Sequence, residues 1–252
     1  MPLLSVQLYT LRDIHDEGRM LDVVAEAGFR YVEVYGALFS HATSLRRKLE
    51  ERSLQVSGAH VALHDLKYDI GRVVDRANAL QVTSLFVPSV PIPLRDMAAP
   101  GWRELGRDLA LLADQVAKDG LTIGYHTHDW DFRPKEEGKA ALDIVFEAAG
   151  TAPVEWEADI AWLARAGVDP KHWLERYKNR LTAAHVKDLA PVGMNDDEAG
   201  WADVGSGILN WGELWPFAIE RGAKAMVVEH DKPRNPARTI ANGFRFISDR
   251  FL

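Results

Sequence analysis

The chain has 252 residues, of which 47% are hydrophobic and 27% are charged, and these fractions are typical of a globular protein rather than a disordered one. It contains no cysteine, which excludes a disulfide scaffold, a thiolate zinc site and a cysteine nucleophile. Its 30 Lys and Arg residues against 37 Asp and Glu residues give a net charge of −7, which disfavours nucleic-acid and anionic membrane partners.

Two segments of the sequence indicate where in the cell the protein is expected: the N-terminal segment and the longest uncharged run. Residues 1–12 alternate like a β-strand and carry neither a basic leader nor a small-residue cleavage site, so we expect a mature, cytoplasmic protein. The longest uncharged run lies between Arg76 and Arg95, and its three prolines and many polar residues are incompatible with a membrane span. We therefore expect no membrane partner.

Short β-branched or aromatic runs alternate with longer helical patterns along the whole chain. The predicted strands are Leu3–Tyr9, Tyr31–Tyr35, Leu54–Val61, Ser84–Val87, Leu121–His126, Val154–Asp159, Leu181–Lys187 and Ala225–His230. The predicted helices are Glu17–Ala27, Thr43–Arg52, Lys67–Leu80, Trp102–Lys118, Lys139–Ala149, Pro170–Tyr177, Trp211–Arg221 and Pro236–Phe251. Four of these helices are closely followed by a glycine, the residue that most readily ends a helix.

Eight strands and eight helices in strict alternation predict an α/β fold. One strand begins about every 30 residues, which is the length of one βα unit, and no linker or composition break divides the chain. The pattern predicts a single (β/α)8 TIM barrel, one domain spanning residues 1–252. A doubly wound open sheet is the alternative, but no Gly-rich phosphate turn follows the first strand. The widest irregular stretch, Ala190–Asn210, is the candidate lid.

Histidines and acids concentrate at or near the C-terminal ends of the predicted strands. They are His60, His126, His128, His185, Glu33, Glu157, Asp159 and Glu229. The catalytic groups of a (β/α)8 barrel come from these strand ends. Buried charges need a partner, and a divalent cation would supply one. Histidine nitrogen together with carboxylate oxygen suits manganese, iron, cobalt or zinc better than calcium.

Other polar residues have simpler interpretations. Three histidines outside the strands are expected at the surface: His15, His41 and His172. Glu155 lies in the N-terminal half of its strand and is expected to face a structural partner. His230 directly follows Glu229, so the two side chains point to opposite sides and His230 is expected behind the site.

For Lys187 and for four aromatic residues, two interpretations stay open. Lys187 lies two residues beyond His185 and shares its face, so it either contacts substrate or forms a rim ion pair with Asp188 or Asp159. The aromatic residues either line a sugar pocket or belong to an ordinary core or interface: Tyr9, Trp130, Phe132 and Trp162.

Several motifs together resemble the xylose isomerase-like TIM-barrel superfamily, which includes sugar and sugar-phosphate isomerases and epimerases, inosose dehydratase and endonuclease IV. The motifs are Tyr31-Val32-Glu33-Val34, Ser57-Gly58-Ala59-His60, Asp159-Ile160-Ala161-Trp162, Ala184-His185-Val186-Lys187-Asp188, Val204-Gly205-Ser206-Gly207 and Val228-Glu229-His230-Asp231. The resemblance covers nearly the whole chain. It is more specific for the superfamily than for any one reaction.

The resemblance implies one divalent metal ion, Mn²⁺ in first place, with Co²⁺, Zn²⁺, Fe²⁺ or Mg²⁺ as alternatives. Its implied ligands are His126, Asp159, His185 and Glu229. His126 departs from the family pattern, which has a glutamate at this position. Trp162 also departs, because several relatives have a substrate-contacting histidine there. His126 is therefore expected either as the fourth ligand or as an acid/base group.

The resemblance further implies a metal-dependent sugar isomerase or epimerase that removes a proton next to a carbonyl of a keto- or aldo-sugar or polyol. Glu229 is the expected base, with His126 and Lys187 as further catalytic groups. The expected substrate-binding residues are His60, His128, Trp130, Glu157 and Trp162. The missing second glutamate leaves a dehydratase or lyase acting on a keto-inositol or keto-glycoside as the alternative. No Gly-rich phosphate loop is visible, which favours an unphosphorylated substrate.

Two further alternatives carry less weight. Endonuclease IV needs a trinuclear zinc cluster, whereas this chain has Trp162 in place of one histidine ligand and no Asp-x-His pair at Asp203-Val204-Gly205. A non-catalytic sugar-binding barrel is the other alternative. A homo-oligomer, either a dimer or a tetramer, is compatible with the resemblance.

Overall fold

The computed structural model describes residues 2–252, and its centre is a closed barrel of eight parallel strands. The strands are β1 (Leu3–Gln7), β2 (Tyr31–Val34), β3 (Gln55–His60), β4 (Ser84–Val87), β5 (Thr122–His126), β6 (Glu155–Asp159), β7 (Leu181–Val186) and β8 (Ala225–Val228). Each strand pairs with its neighbours along the chain, and β1 pairs with β8 to close the barrel, with Val6 opposite Val228. The predicted (β/α)8 fold is confirmed, and the open sheet is wrong.

Helices surround this barrel. They are α1 (Glu17–Ala27), α2 (Gly36–Phe39), α3 (Ala42–Glu50), α4 (Leu63–Tyr68), α5 (Ile70–Leu80), α6 (Ala99–Ala117), α7 (Ala141–Ala149), α8 (Ile160–Arg165), α9 (Pro170–Arg176), α10 (Trp211–Glu220) and α11 (Pro236–Phe251). The short helices α2 and α8 were not predicted. The single helix predicted over Lys67–Leu80 is wrong, because Asp69 leaves the helical conformation (φ −144°, ψ 39°) between α4 and α5.

Alternation along the strands separates an apolar layer from a polar interior. On β6, the ring of Trp156 packs edge-on against Phe146 of α7, with centroids 6.4 Å apart. The neighbouring positions Glu157 and Asp159 take the opposite face, as the period of two requires. A separate apolar cluster of Phe86, Ala183, Ala225 and Val227 lies within the barrel. Ala183 precedes His185 by two residues on β7, so this part of the cluster lies on the N-terminal side of His185.

Several strands end earlier than predicted, and this places functional side chains on the turns. A 3₁₀ turn over Leu8–Leu11 follows β1 directly, and Glu229, His230 and Asp231 lie just beyond β8. Within the stretch expected as a lid, Trp201–Ala202 pairs antiparallel with Asp188–Leu189, which lies just before that stretch. Within residues 2–252, no helix combines the length and the apolar character needed to cross a membrane.

Candidate metal centre

The C-terminal end of the barrel gathers histidines and carboxylates from five strands and the turn after β8. The side chains are Glu33 of β2, His60 of β3, His126 of β5, Glu157 and Asp159 of β6, His185 of β7, and Glu229 after β8; all are buried. Parallel strands carry their C-terminal ends to the same edge, so residues far apart in the sequence meet there. They form two groups with metal-ligand spacing.

The first group, here called the outer group, comprises Asp159, His185 and Glu229. One nitrogen or oxygen atom from each lies within 4.8 Å of the others. His185 Nδ1 is 2.8 Å from Glu229 Oε2 and 3.9 Å from Asp159 Oδ2. His126, the predicted fourth ligand, brings its Nε2 to 3.9 Å from the same Asp159 oxygen. Three of the four residues implied by the resemblance therefore share this group, and His126 lies beside it.

The second group, here called the inner group, comprises His60, His126, Glu157 and His185, again with ligand atoms within 4.8 Å of one another. Glu157 Oε2 is its centre, at 2.6 Å from His60 Nε2, 3.0 Å from His126 Nδ1 and 3.2 Å from His185 Nε2. Glu33 adjoins it, with its Oε2 at 2.8 Å from His185 Nε2. A buried set of histidines and carboxylates that could bind a metal is thus present at the predicted end of the barrel.

The turn after β6 explains why Asp159 presents one oxygen to this site. Asp159 Oδ1 caps α8 by accepting the backbone N–H groups of Ala161 (3.1 Å) and Trp162 (3.0 Å). Its Oδ2 is buried, and among the described residues its one close donor is the Lys187 ammonium, whose Nζ lies 2.9 Å away. A buried carboxylate oxygen needs a compensating positive charge, and an oxygen that no other donor approaches within hydrogen-bond distance fits a cation ligand. Imidazole nitrogen with carboxylate oxygen is also a donor set suited to zinc, manganese, iron or cobalt.

Lys187 is buried at the same end of the barrel. Its Nζ lies 2.7 Å from Glu229 Oε2, 2.9 Å from Asp159 Oδ2 and 3.0 Å from Asp231 Oδ2. The sequence offered Asp159 and Asp188 as ion-pair partners of Lys187. The pair with Asp159 forms, whereas the pair with Asp188 does not. Asp188 instead accepts the backbone N–H groups of Leu189, Gly205 and Leu209, and so fixes both ends of the stretch expected as a lid.

Burial and mutual charge set the protonation of these groups. Burial lowers the pKa of His60, but the carboxylates of Glu33 and Glu157 outweigh it and raise this pKa to about 9. Burial lowers the pKa of His126 well below its usual value, so its imidazole is neutral. Burial raises the pKa of Glu229, but Lys187 and His185 hold it well below its usual range. Glu229 is therefore an ionised carboxylate, and His126 has a free lone pair.

A cavity of about 350 Å³ opens beside the outer group. Its walls include the predicted site residues His60, His126, His128, Lys187 and Glu229, and also Tyr9. This volume lies at the lower end of the range for small-molecule sites. The candidate base Glu229, Lys187 and three histidines therefore face the same cavity.

Three predicted substrate-binding residues lie behind the cavity wall rather than on it. Among the described residues, the lining includes neither Glu157, Trp130 nor Trp162. Trp130 is buried and stacks on the His128 ring, with centroids 4.3 Å apart. Trp162 packs edge-on against Trp201 at 4.8 Å. The two tryptophans therefore support the wall.

Sequence reasoning placed Glu33 at the functional end of the barrel without a role, and it did not include Asp231 or Arg95 among the site residues. Glu33 is recognisable as an acid in a strand, and its inward direction follows from alternation. Asp231 lies two residues after Glu229, and this spacing is a usable signal. Arg95, which lines the cavity with its guanidinium 3.7 Å from the Trp130 ring centroid, lies in a loop and gives no periodic signal.

The remaining polar residues are placed as follows. His15, His41 and His172 are exposed. Glu155 lies at the other end of β6, where it accepts hydrogen bonds from the hydroxyls of Thr122 and Thr182. His230 is buried, and its Nδ1 accepts the backbone N–H of Lys232.

Several known structures resemble this protein over nearly the whole length of the chain. A sugar phosphate isomerase/epimerase from Parabacteroides distasonis has a TM-score of 0.79 at 20% identity, covering 98% of this chain and 93% of that one. The probable 3-DHS dehydratase AsbF from Bacillus anthracis has 0.76 at 14% identity, with coverages of 98% and 99%. The IOLI protein, solved with a bound zinc atom, has 0.73 at 14% identity, with coverages of 99% and 97%.

Because the sequence identities are low, the three structures establish only that the fold is shared. A search of curated proteins finds no significant match. The family described as the xylose isomerase-like TIM barrel matches residues 21–250. Given this match and the closed eight-stranded barrel, the chain belongs to the xylose isomerase-like TIM-barrel family.

Proposed function

We propose that this protein is a divalent-metal-dependent isomerase or epimerase that enolises a keto- or aldo-sugar or polyol. The observation that carries the proposal is the convergence of Asp159, His185 and Glu229 beside a cavity of about 350 Å³ at the C-terminal end of the barrel. Functional sites of (β/α)8 enzymes lie at this end. The substrate is a small molecule, and the missing Gly-rich phosphate loop favours an unphosphorylated one.

Asp159, His185, Glu229 and His126 are the residues that would hold the cation, with Mn²⁺ in first place. Bound there, the cation supplies positive charge that stabilises the oxygen charge developing beside the reacting carbon. IOLI, whose structure contains zinc, shares the fold and supports a metal in this family.

Glu229 is the proton-abstracting base. Its carboxylate lines the cavity, and the Lys187 and His185 charges keep its pKa well below the usual range, so it is ionised. The same charges make it a weak base, and it therefore depends on positive charge near the substrate oxygen to acidify the C–H bond. Glu229 accepts the proton from the substrate carbon and, in an isomerisation, returns it to the neighbouring carbon. An epimerisation requires a second group, for which His126 is the candidate, to protonate the same carbon from the opposite face.

Lys187 and His126 are positioned to complete this proton transfer. Lys187 lines the cavity beside Glu229, and its ammonium group can donate a hydrogen bond to a substrate oxygen. His126 is neutral because burial lowers its pKa, which suits it as the fourth ligand and makes it a weaker base if it accepts a proton instead. His60 and His128 line the same cavity and provide polar contacts to substrate hydroxyls.

Elimination by a dehydratase or lyase is the second candidate function, acting on a keto-inositol or keto-glycoside. Among the described residues, Glu229 is the one glutamate that lines the cavity. The ammonium of Lys187 lies 2.7 Å from it and can protonate a departing oxygen. One base beside one acid is sufficient for β-elimination, whereas an epimerase needs acid/base groups on both faces of the substrate.

Exchange of substrate hydrogen with deuterium from the solvent tests the proposal. The protein is incubated in D₂O with Mn²⁺ or Co²⁺ and a panel of keto-sugars, aldo-sugars and keto-inositols, and C–H positions are followed by NMR. We expect exchange at one carbon next to a carbonyl, and loss of that exchange after chelation of the metal. Product analysis then separates isomerisation from loss of water or a glycosyl group. Metal-loaded protein that exchanges no C–H in the panel would contradict the proposal.

A further inference from the structure

Two imidazoles separate the outer group from the inner group, and each ring has one nitrogen on either side. His185 Nδ1 lies 2.8 Å from Glu229 Oε2, whereas its Nε2 lies 2.8 Å from Glu33 Oε2. His126 Nε2 lies 3.9 Å from Asp159 Oδ2, whereas its Nδ1 lies 3.0 Å from Glu157 Oε2. Each ring therefore either binds a cation on the outer side and donates a proton on the inner side, or the reverse.

For His185 the contacts with Glu229 and Glu33 are equally short, so the contacts of Glu157 Oε2 carry the choice between these two arrangements. Four ligands at about 2.0–2.2 Å from a tetrahedral ion lie about 3.4 Å from one another. The inner contacts of Glu157 Oε2, at 2.6, 3.0 and 3.2 Å, are shorter than this and match hydrogen bonds. The outer contacts of His185 Nδ1, at 2.8 and 3.9 Å, lie on either side of the tetrahedral value. The inner group is spaced as a hydrogen-bonded layer.

We propose that Glu33, His60 and Glu157 form a positioning layer that fixes the tautomers of both imidazoles. Glu33 accepts the Nε2–H of His185 and Glu157 accepts the Nδ1–H of His126, which leaves His185 Nδ1 and His126 Nε2 free to bind the cation. Metal-bound histidines commonly donate their other N–H to a carboxylate, and removal of that carboxylate weakens metal binding about 10–100-fold. This inference rests on the cation site of the proposed function.

The sequence provides specific support for Glu33 in this layer. Gln7 of β1 donates its Nε2–H to Glu33 Oε2 at 2.7 Å. A Cβ atom at position 58 would lie 2.7 Å from Glu33 Oε1, so the glycine of β3 leaves the space that the carboxylate occupies. His60 Nε2 links the two carboxylates, at 3.2 Å from Glu33 and 2.6 Å from Glu157. Glu33 is therefore held at a fixed position by the protein itself.

The test uses Zn²⁺, which is diamagnetic, and protein labelled with ¹⁵N in its histidine rings. Long-range ¹H–¹⁵N spectra distinguish protonated, bare and cation-bound ring nitrogens, and His185→Gln identifies the His185 signals. We expect wild-type His185 to show a cation-bound Nδ1 and a protonated Nε2. Glu33→Gln keeps the size of the side chain but removes its charge, and we expect it to raise the Zn²⁺ dissociation constant about 10–100-fold.

Glu155→Gln is the matched control, because Glu155 is also a strand carboxylate but lies at the opposite end of the barrel and bonds two threonines. It should leave Zn²⁺ affinity and the His185 signals unchanged. Thermal unfolding of the metal-free proteins separates a loss of fold from a loss of affinity. If Glu33→Gln does not fold, the wild-type spectrum alone still decides the tautomer.

The outcomes separate this inference from the proposed function. Zn²⁺ bound at His185 Nε2, with Nδ1 protonated, would overturn the positioning layer and make the inner group the cation site. Unchanged Zn²⁺ affinity in a folded Glu33→Gln protein would also overturn it, while leaving the metal dependence intact. A wild-type protein that takes up none of the proposed cations would contradict the proposed function itself and the inference with it.

Discussion

The two ends of strand β6 carry chemically similar acids in contrasting surroundings. At the N-terminal end, Glu155 accepts hydrogen bonds from the Thr122 and Thr182 hydroxyls at 3.0 and 3.1 Å. At the C-terminal end, Glu157 and Asp159 are fully buried; Glu157 Oε2 contacts the His60 and His126 imidazoles, and Asp159 Oδ2 lies 2.9 Å from the Lys187 ammonium. The acid at the first end is satisfied by neutral hydroxyls, whereas those at the second end lie among imidazoles and an ammonium group.

A second pair of residues shows the same contrast. Arg180, near the N-terminal end, donates to the backbone carbonyls of Gly150, Ala152 and Val154, and so ties the connection between α7 and β6 to the start of β7. Lys187, at the C-terminal end, faces three carboxylates, of which Glu229 and Asp231 line the cavity. The N-terminal end is therefore built for stability and the C-terminal end for chemistry, as is general for (β/α)8 enzymes. Four substitutions test this division.

The largest effect is expected from Asp159→Ala. It removes a proposed cation ligand and the α8 cap together, so we expect loss of bound metal, measured by plasma emission spectroscopy, and loss of solvent exchange. Asp169→Ala is its control, because Asp169 caps α9 in the same way, by accepting the backbone N–H of Lys171. Both should lose about 1 kcal/mol of stability from the cap. Full metal retention in folded Asp159→Ala would remove Asp159 from the site.

Glu229→Gln should be next in magnitude. The substitution removes the proposed base, and loss of a general base reduces rates by a factor on the order of 10²–10⁴. We expect solvent-deuterium exchange into substrate to fall by this factor, or further if metal is also lost, with circular dichroism unchanged. A variant that exchanges at the wild-type rate would show that Glu229 is not the base, and His126 would be examined next.

His126→Glu should have a smaller effect, because it places at this position the residue that the family usually has. We expect the variant to fold and to retain bound Zn²⁺ or Mn²⁺ in equilibrium dialysis. The new carboxylate replaces an imidazole whose Nε2 is 3.9 Å from Asp159 Oδ2. If the variant lost both the metal and its fold, the assignment of His126 to the fourth ligand position would be wrong.

Arg180→Ala should leave the chemistry unchanged and affect stability alone. It removes a guanidinium that bonds the Ala152 and Val154 carbonyls at 2.9 Å each, so we expect the free energy of unfolding to fall by about 1–3 kcal/mol. Lys178→Ala, which removes a surface pair with Glu175, is the control and should change it by less than about 0.5 kcal/mol. Denaturant unfolding measures both. Impaired solvent exchange in folded Arg180→Ala would break the division between the two ends.

The sequence predicts the fold well because local patterns determine it. The eight strands alternate with helices at a regular spacing, and the period of two along β6 predicts that Glu157 and Asp159 share a face. Because the C-terminal ends of parallel strands lie at one edge of a barrel, the strand pattern also predicts that His185 and Glu229 lie at the same end. Local patterns fail where the backbone departs from regular structure, as at Asp69, which divides one predicted helix into two.

The contacts within the site could not be predicted, because they depend on long-range geometry. Asp188 follows Lys187 directly and is a reasonable partner on sequence grounds, but the return of the chain at Gly205 and Leu209 provides Asp188 with backbone donors. Asp231 pairs with Lys187 instead. Likewise, no local pattern indicates which ring nitrogen of His185 faces Glu33 and which faces Glu229. Such assignments require the packed barrel.

A crystal structure of the protein soaked with Mn²⁺, with anomalous data collected at the manganese edge, tests the central claim most directly. Our account predicts one strong anomalous peak at the C-terminal end of the barrel, in contact with Asp159, His185 and Glu229. A peak centred between His60, Glu157 and His185 Nε2, or one at the N-terminal end near Glu155, would contradict it.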